Sequence, residues 1–126
     1  METYNPVGWF EIPTLDLERA EAFYKALLDI EFQDMTSGEM QMKIFPMHHD
    51  TKGTSGALVK HPTYTPSKNG AGVIIYFTTP NFDEVMDKVE SIGGKIVFPK
   101  RDIGENGFIG GIEDTEGNHI AIHTRK

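Results

Sequence analysis

Residues 107 to 123 read G-F-I-G-G-I-E-D-T-E-G-N-H-I-A-I-H, two short apolar runs joined by an acidic turn. Asp114 and Glu116 carry the short acceptor side chains that cap a turn, and Gly117 supplies the positive φ a reversal needs. Asn118 tolerates the same region of backbone space. The stretch therefore predicts a β-hairpin. In its second strand Ile120 and Ile122 share one face, so His119, Ala121 and His123 must share the other, because side chains alternate with period two. What stands on that second face decides what the protein can do.

Working outward, the same unit is foreshadowed twice. Residues 7–12 predict a strand bounded by Pro13. Asp16 is a predicted N-cap for a helix whose apolar stripe is Leu17, Ala20, Phe23, Tyr24, Leu27 and Leu28, ending near Asp29. Strands are expected over 31–35 and 40–45 around the turn Thr36-Ser37-Gly38, and over 54–60. Residues 61–70, with Pro62, Pro66, Ser67 and Asn69, predict a linker. A strand over 73–77 follows, then a helix opened by Asn81 with Glu84 in a reciprocal capping arrangement. Its stripe is Phe82, Val85, Val89 and Ile92, stopped by Gly93-Gly94.

Leu17, Ala20, Tyr24 and Leu27 each lie 65 residues before Phe82, Val85, Val89 and Ile92 (82 − 17, 85 − 20, 89 − 24 and 92 − 27). The offset also pairs Trp9 with Ile74, Glu11 with Tyr76 and Phe32 with Val97, and lays Gly56 over Ala121. Similarity at a fixed spacing marks a duplicated strand–helix–strand–strand–strand unit. The expected fold is α+β: one domain over 1–126, with module one at 5–60, a linker at 61–70 and module two at 71–124.

Composition narrows the function. The chain has 126 residues, enough for one domain with its own core. It contains no cysteine, which removes disulfide, iron–sulfur and thiol chemistry. Its formal net charge of -7, without any concentration of Lys and Arg, argues against nucleic acid as a partner. No run reaches membrane-spanning length, so no membrane partner and a cytoplasmic location are expected.

The duplicated βαβββ unit resembles the vicinal oxygen chelate superfamily, which includes glyoxalase I, extradiol dioxygenases, fosfomycin-modifying enzymes and the bleomycin resistance proteins. The resemblance is carried by W-F-E-I-P-T-L-D-L-E-R-A-E-A-F-Y-K-A-L-L from Trp9, I-I-Y-F-T-T-P-N-F-D-E-V-M-D-K-V-E-S-I-G-G-K-I from Ile74 and I-E-D-T-E-G-N-H-I-A-I from Ile112. It implies two tandem modules forming a cup-shaped mixed sheet, usually completed in a homodimer, with a small molecule bound in the cup.

Enzymes of that group hold a divalent metal through His and Glu on the first and last strands of each module. Here those positions are Trp9, a residue near Gly56, Ile74 and Ala121, none of which carries a donor side chain. The expected ligand pocket is Trp9, Glu11, Gly56, Ile74, Tyr76, His119, Ala121 and His123, with no cofactor and no catalytic residue assigned. A protein binding a small, partly aromatic molecule without the usual metal is the leading reading. The alternative is a metal-dependent lyase, isomerase or dioxygenase of the glyoxalase type with relocated ligands Glu11, His119 and His123. A protein-interaction module that kept the fold is a third.

Lesser signals are His48-His49-Asp50, whose adjacent side chains point apart on an extended chain, and Met35, Met40, Met42 and Met47, which suit an adaptable apolar rim. The four glycines between 104 and 111 lack the Lys and following helix of a phosphate loop, and read as close strand packing.

Overall fold

The computed structural model describes residues 5–48, 53–67 and 71–126. In the first unit β1 (Phe10–Pro13) leads into α1 (Leu17–Leu28), then β2 (Gln33–Ser37), β3 (Met40–Ile44) and β4 (Gly56–Lys60). Asp16 caps α1 as its spacing predicts, its carboxylate accepting from the Arg19 N–H at 3.0 Å. Asp29 ends the helix in the left-handed region (φ 55). β1 begins at Phe10 rather than residue 7, because the ladder to β4 starts at the Phe10–Gly56 pair. Pro13 belongs to the strand instead of bounding it, which an edge strand tolerates because its outer N–H is not required.

The second unit repeats the order: β5 (Tyr76–Thr78), α2 (Phe82–Lys88), β6 (Lys95–Asp102), β7 (Phe108–Glu113) and β8 (His119–Thr124). Three expectations are corrected. β5 is a short strand from Tyr76, not a run over 73–77. α2 stops at Lys88 and tightens into a 3-10 turn over Glu90–Ile92, closed by Gly93 at φ 103, so the stripe residues Val89 and Ile92 lie beyond the α-helix proper. The Asn81 side chain makes no capping bond, and its N–H donates instead to Thr79 Oγ1 at 3.1 Å.

Each unit owns a four-stranded mixed sheet, ordered β1-β4-β3-β2 and β5-β8-β7-β6. In both, the first strand runs parallel to the last and the remaining pairs are antiparallel. The backbone fixes how they correspond. Thr14 N–H donates to Val59 O and Thr79 N–H to His123 O, both at 2.8 Å, so the offset is 65 at the first strand (79 − 14) and 64 at the last (123 − 59). Ala57, not Gly56, is therefore the counterpart of Ala121.

One apolar core serves both units. Phe23, Tyr24 and Leu27 of α1, Phe82 and Val85 of α2, and Leu58, Ile112, Ile120 and Ile122 from the strands form one cluster. Burying each large side chain contributes about 2 kcal/mol. Phe10 and Phe77, from the two first strands, meet in this layer with ring centroids 6.0 Å apart. A second, smaller cluster of Met42, Ile44, Ala57 and Val59 lies on the other face of the first sheet, with Met40 and Tyr64 packed against it. Among the described residues no helix is long and apolar enough to cross a membrane.

Candidate functional site

Strand alternation and register sort each sheet into a helix-covered face and an opposite, cup face. On the first sheet the pairs Gln33–Ile44, Met35–Met42 and Ser37–Met40 stand with Ala57, Val59, Trp9 and Glu11. Trp9, Glu11, Met35, Met42, Ile44 and Met47 line a cavity of about 290 Å³. All four methionines singled out from sequence, Met35, Met40, Met42 and Met47, thus line one cavity with the Trp9 indole. Trp9 also borders a second cavity of about 720 Å³ where the units meet, shared with Ile74, Tyr76 and Thr78.

Gly56 does not belong to this face. It is buried against the core, where a Cβ would collide with the carbonyl oxygen and ring of Phe10, and Ala57 takes the cup position. The sequence spacing misplaced the register of the last strand by a single residue, and one residue reverses the face.

On the second sheet three rows cross the strands. Arg101, Ile109, His123 and Thr78 form one, and Phe98, Gly111, Ala121 and Tyr76 the next. Lys95, Glu113 and His119 form the third. His119 Nε2 lies 3.2 Å from Glu113 Oε1, and Lys95 Nζ lies 3.7 Å from Glu113 Oε2. His123 Nδ1 is 3.0 Å from Thr78 Oγ1 and its Nε2 is 2.8 Å from the Asn106 carbonyl. The carbonyl can only accept, so Nε2 carries a proton, and in the neutral ring Nδ1 accepts from the Thr78 hydroxyl.

These contacts bear on the relocated metal set. Glu11 stands on the first sheet, accepting from Tyr64 OH at 2.9 Å and from Trp9 Nε1 at 3.4 Å. His119 and His123 stand on the second, each engaged as above. Among the described residues no three His, Asp or Glu side chains converge as a cation site. The structure does not bring Glu11, His119 and His123 together, because they belong to separate sheets. At the positions where the resemblance would place metal ligands, Trp9, Ala57 (in place of Gly56), Ile74 and Ala121 carry indole or alkyl groups, which cannot replace hydration oxygens around a divalent ion. Of His48-His49-Asp50 only His48 is described, and it is exposed.

The acidic turn has a structural task that its sequence only half discloses. Asp114 does cap the hairpin, accepting from the Glu116 and Asn118 N–H groups at 2.8 and 2.9 Å. It also accepts from the buried Tyr24 hydroxyl at 2.6 Å. Glu116, expected to cap the same turn, instead crosses to the first unit. Its Oε1 accepts from the Leu15 and Asp16 N–H groups at 2.8 Å each, and its Oε2 from Arg19 Nε at 2.7 Å. Asn118 Nδ2 reaches the Pro13 carbonyl at 2.9 Å, and its Oδ1 accepts from the Ser67 N–H at 3.2 Å. Ser67 is thereby tied to the turn.

Burial pushes the Asp114 carboxyl above its ordinary value, outweighing the hydrogen bonds that oppose it. For Glu116 burial acts in the same direction, but Arg19 and the two backbone donors outweigh it and hold the carboxyl below its ordinary value. The Tyr24 hydroxyl is driven well up by burial and by the neighbouring Asp114.

The fold is shared with known proteins. An antibiotic-binding protein, TnmS3 from Streptomyces sp. CB03234, is 21% identical, with all of each chain covered and a TM-score of 0.72. A glyoxylase/bleomycin resistance protein/dioxygenase domain from Frankia sp. EAN1pec is 14% identical over 98% of this chain and 100% of its own, with a TM-score of 0.76. Glyoxalase I from Zea mays, as a V278E mutant, is 19% identical over 94% of this chain, at a TM-score of 0.70. The chain spans about half of that enzyme, 46% of its length. None of the curated proteins matches the sequence. The family model described as Glyoxalase/Bleomycin resistance protein/Dioxygenase superfamily matches residues 7–122, and the chain belongs to that superfamily.

Proposed function

We propose that this member of the superfamily binds a small, partly aromatic molecule in its cup without the usual family metal, and that it does so as a cytoplasmic homodimer. The observation that carries the reading is the chemistry of the first cup face. An indole and four thioethers, with the Glu11 and Asp34 carboxylates, Gln33 and Ser37 among them, line a cavity of about 290 Å³, a size suited to a ring system. The alkyl and indole groups at Trp9, Ala57, Ile74 and Ala121 support the metal-free half of the proposal. Trp9, Glu11, Ile74, Tyr76, His119, Ala121 and His123 remain the proposed pocket, with Ala57 replacing Gly56.

Trp9 is the only tryptophan, so its fluorescence reports the cup directly. Titration with N-phenyl-1-naphthylamine, a neutral aromatic probe, should quench Trp9 saturably at micromolar concentration. Met42→Glu should weaken that binding at least tenfold, by placing a carboxylate among the thioethers. No saturable quenching in the native protein would overturn the proposal.

A further inference from the structure

β6 carries two irregularities that re-aim its side chains. Ile96 pairs with Ile112 and packs on the core, and strict alternation would send Phe98 to the same face. The register shift between Ile96 and Phe98 leaves Val97 as an extra residue and pairs Phe98 with Gly111. Phe98 therefore turns onto the cup face, where its ring covers Gly111 so closely that a Cβ there would strike it. A second shift pairs Arg101 with Ile109, three residues of β6 against two of β7, and turns Arg101 to the same side. Lys100 goes the other way, to Asp83 and the Phe82 and Phe108 rings.

The outcome is a guanidinium lying 4.2 Å from the Phe98 ring centroid. Stacking on the ring face occupies the plane of the guanidinium and leaves its N–H edge available for a fork-shaped acceptor. Arg101 is exposed and, among the described residues, forms no ion pair, a condition it shares with Lys60, Lys88 and Arg125, while Arg19, Lys25, Lys43, Lys95, Lys100 and Lys126 face carboxylates. In a chain of net charge -7, an unneutralised cation on the cup face is contrary to the average surface. Beside it, Gly111 and Ala121 separate the Phe98 and Tyr76 rings along one row. The Phe98 ring covers Gly111 and Ala121 is only 3% exposed, so the accessible groups on this side are the exposed Arg101 and Tyr76.

We infer that the cup's occupant is an aromatic molecule bearing a carboxylate or sulfonate, and that Arg101, stacked on Phe98, receives the anionic group. The inference rests on the proposed function and adds the charge of the ligand to it. Two oxygens of either anion can meet the guanidinium edge in a bidentate pair, which a neutral ligand lacking the anionic group cannot form.

The test uses two probes that differ only in the anion, 8-anilino-1-naphthalenesulfonate and N-phenyl-1-naphthylamine, each followed by Trp9 quenching and by its own emission. In the Arg101→Gln variant the sulfonate should bind at least tenfold more weakly, while the neutral probe changes less than twofold. Arg101→Lys should fall between the two, keeping the charge and losing the fork. The denaturation midpoint and far-UV circular dichroism of each variant establish that it is folded. If neither probe quenches Trp9 in the native protein, the cup-binding reading falls and the inference with it. If both bind and Arg101→Gln weakens neither, or weakens both equally, cup binding stands and the anion site is overturned.

Discussion

Tyr24 shows how much one hydroxyl carries. Its ring is fully buried in the shared core, and its O–H is the one side-chain donor that the first unit offers to Asp114. Tyr24→Phe keeps the packing but leaves the Asp114 carboxylate short of a partner inside the protein. The expected loss is about 2 kcal/mol, read as a lower urea midpoint with an unchanged slope. Gly56 makes a comparable point for a residue with no side chain. Gly56→Ala forces a methyl into the Phe10 carbonyl and ring, and the overpacked core should lose about 3 kcal/mol, whereas the same exchange at the exposed Gly8 meets nothing.

At the scale of the element, the β7–β8 hairpin is the clamp between the two units. Its Glu116 stabilises the N-terminal end of α1 from across the molecule, with the carboxylate wholly shielded from water and Arg19 half exposed beside it. Because the folded carboxyl is held below its ordinary value of 4.5, its contribution is present above that value and is lost as pH falls through the folded value. Asp114 acts with the opposite sign. Its carboxyl is raised, so its ionised form costs stability at neutral pH, and protonation relieves that cost as the solution is acidified. Glu116→Gln should therefore lower stability at pH 7 by about 3 kcal/mol and flatten the loss seen between pH 5 and pH 3, both measurable by thermal melts.

The whole molecule presents two unlike cup faces on one duplicated frame. The first is indole and thioether, the second is histidine, carboxylate and arginine, so an occupant touching both must itself be two-sided. Val7, Trp9, Ile74 and Tyr76 are also exposed together around the junction of the units, a patch of the kind that marks an interface or pocket. Light scattering at micromolar concentration should give twice the chain mass of 14.1 kDa. Elemental analysis after dialysis should find well under one equivalent of Zn, Ni, Fe or Mn per chain. One equivalent of metal would move the enzymatic reading ahead of the binding one.

The first helix was legible in the sequence because its information is local. Asp16 and the three- and four-residue spacing of Leu17, Ala20, Tyr24 and Leu27 specify a capped amphipathic helix with no reference to the rest of the chain, and the hairpin at Gly117 is equally self-contained. The duplicated fold followed from repeating those local signals at one spacing. The site was legible only as far as alternation could carry it, which placed His119, Ala121 and His123 on one face but not Gly56, Phe98 or Arg101. Those three depend on register and on two bulges in β6, and a bulge is decided by what the strand pairs with rather than by its own residues. The partners of Glu116 were invisible for a related reason. Its acceptors read as a turn cap until the fold brings a helix terminus 100 residues away within reach of the same carboxylate.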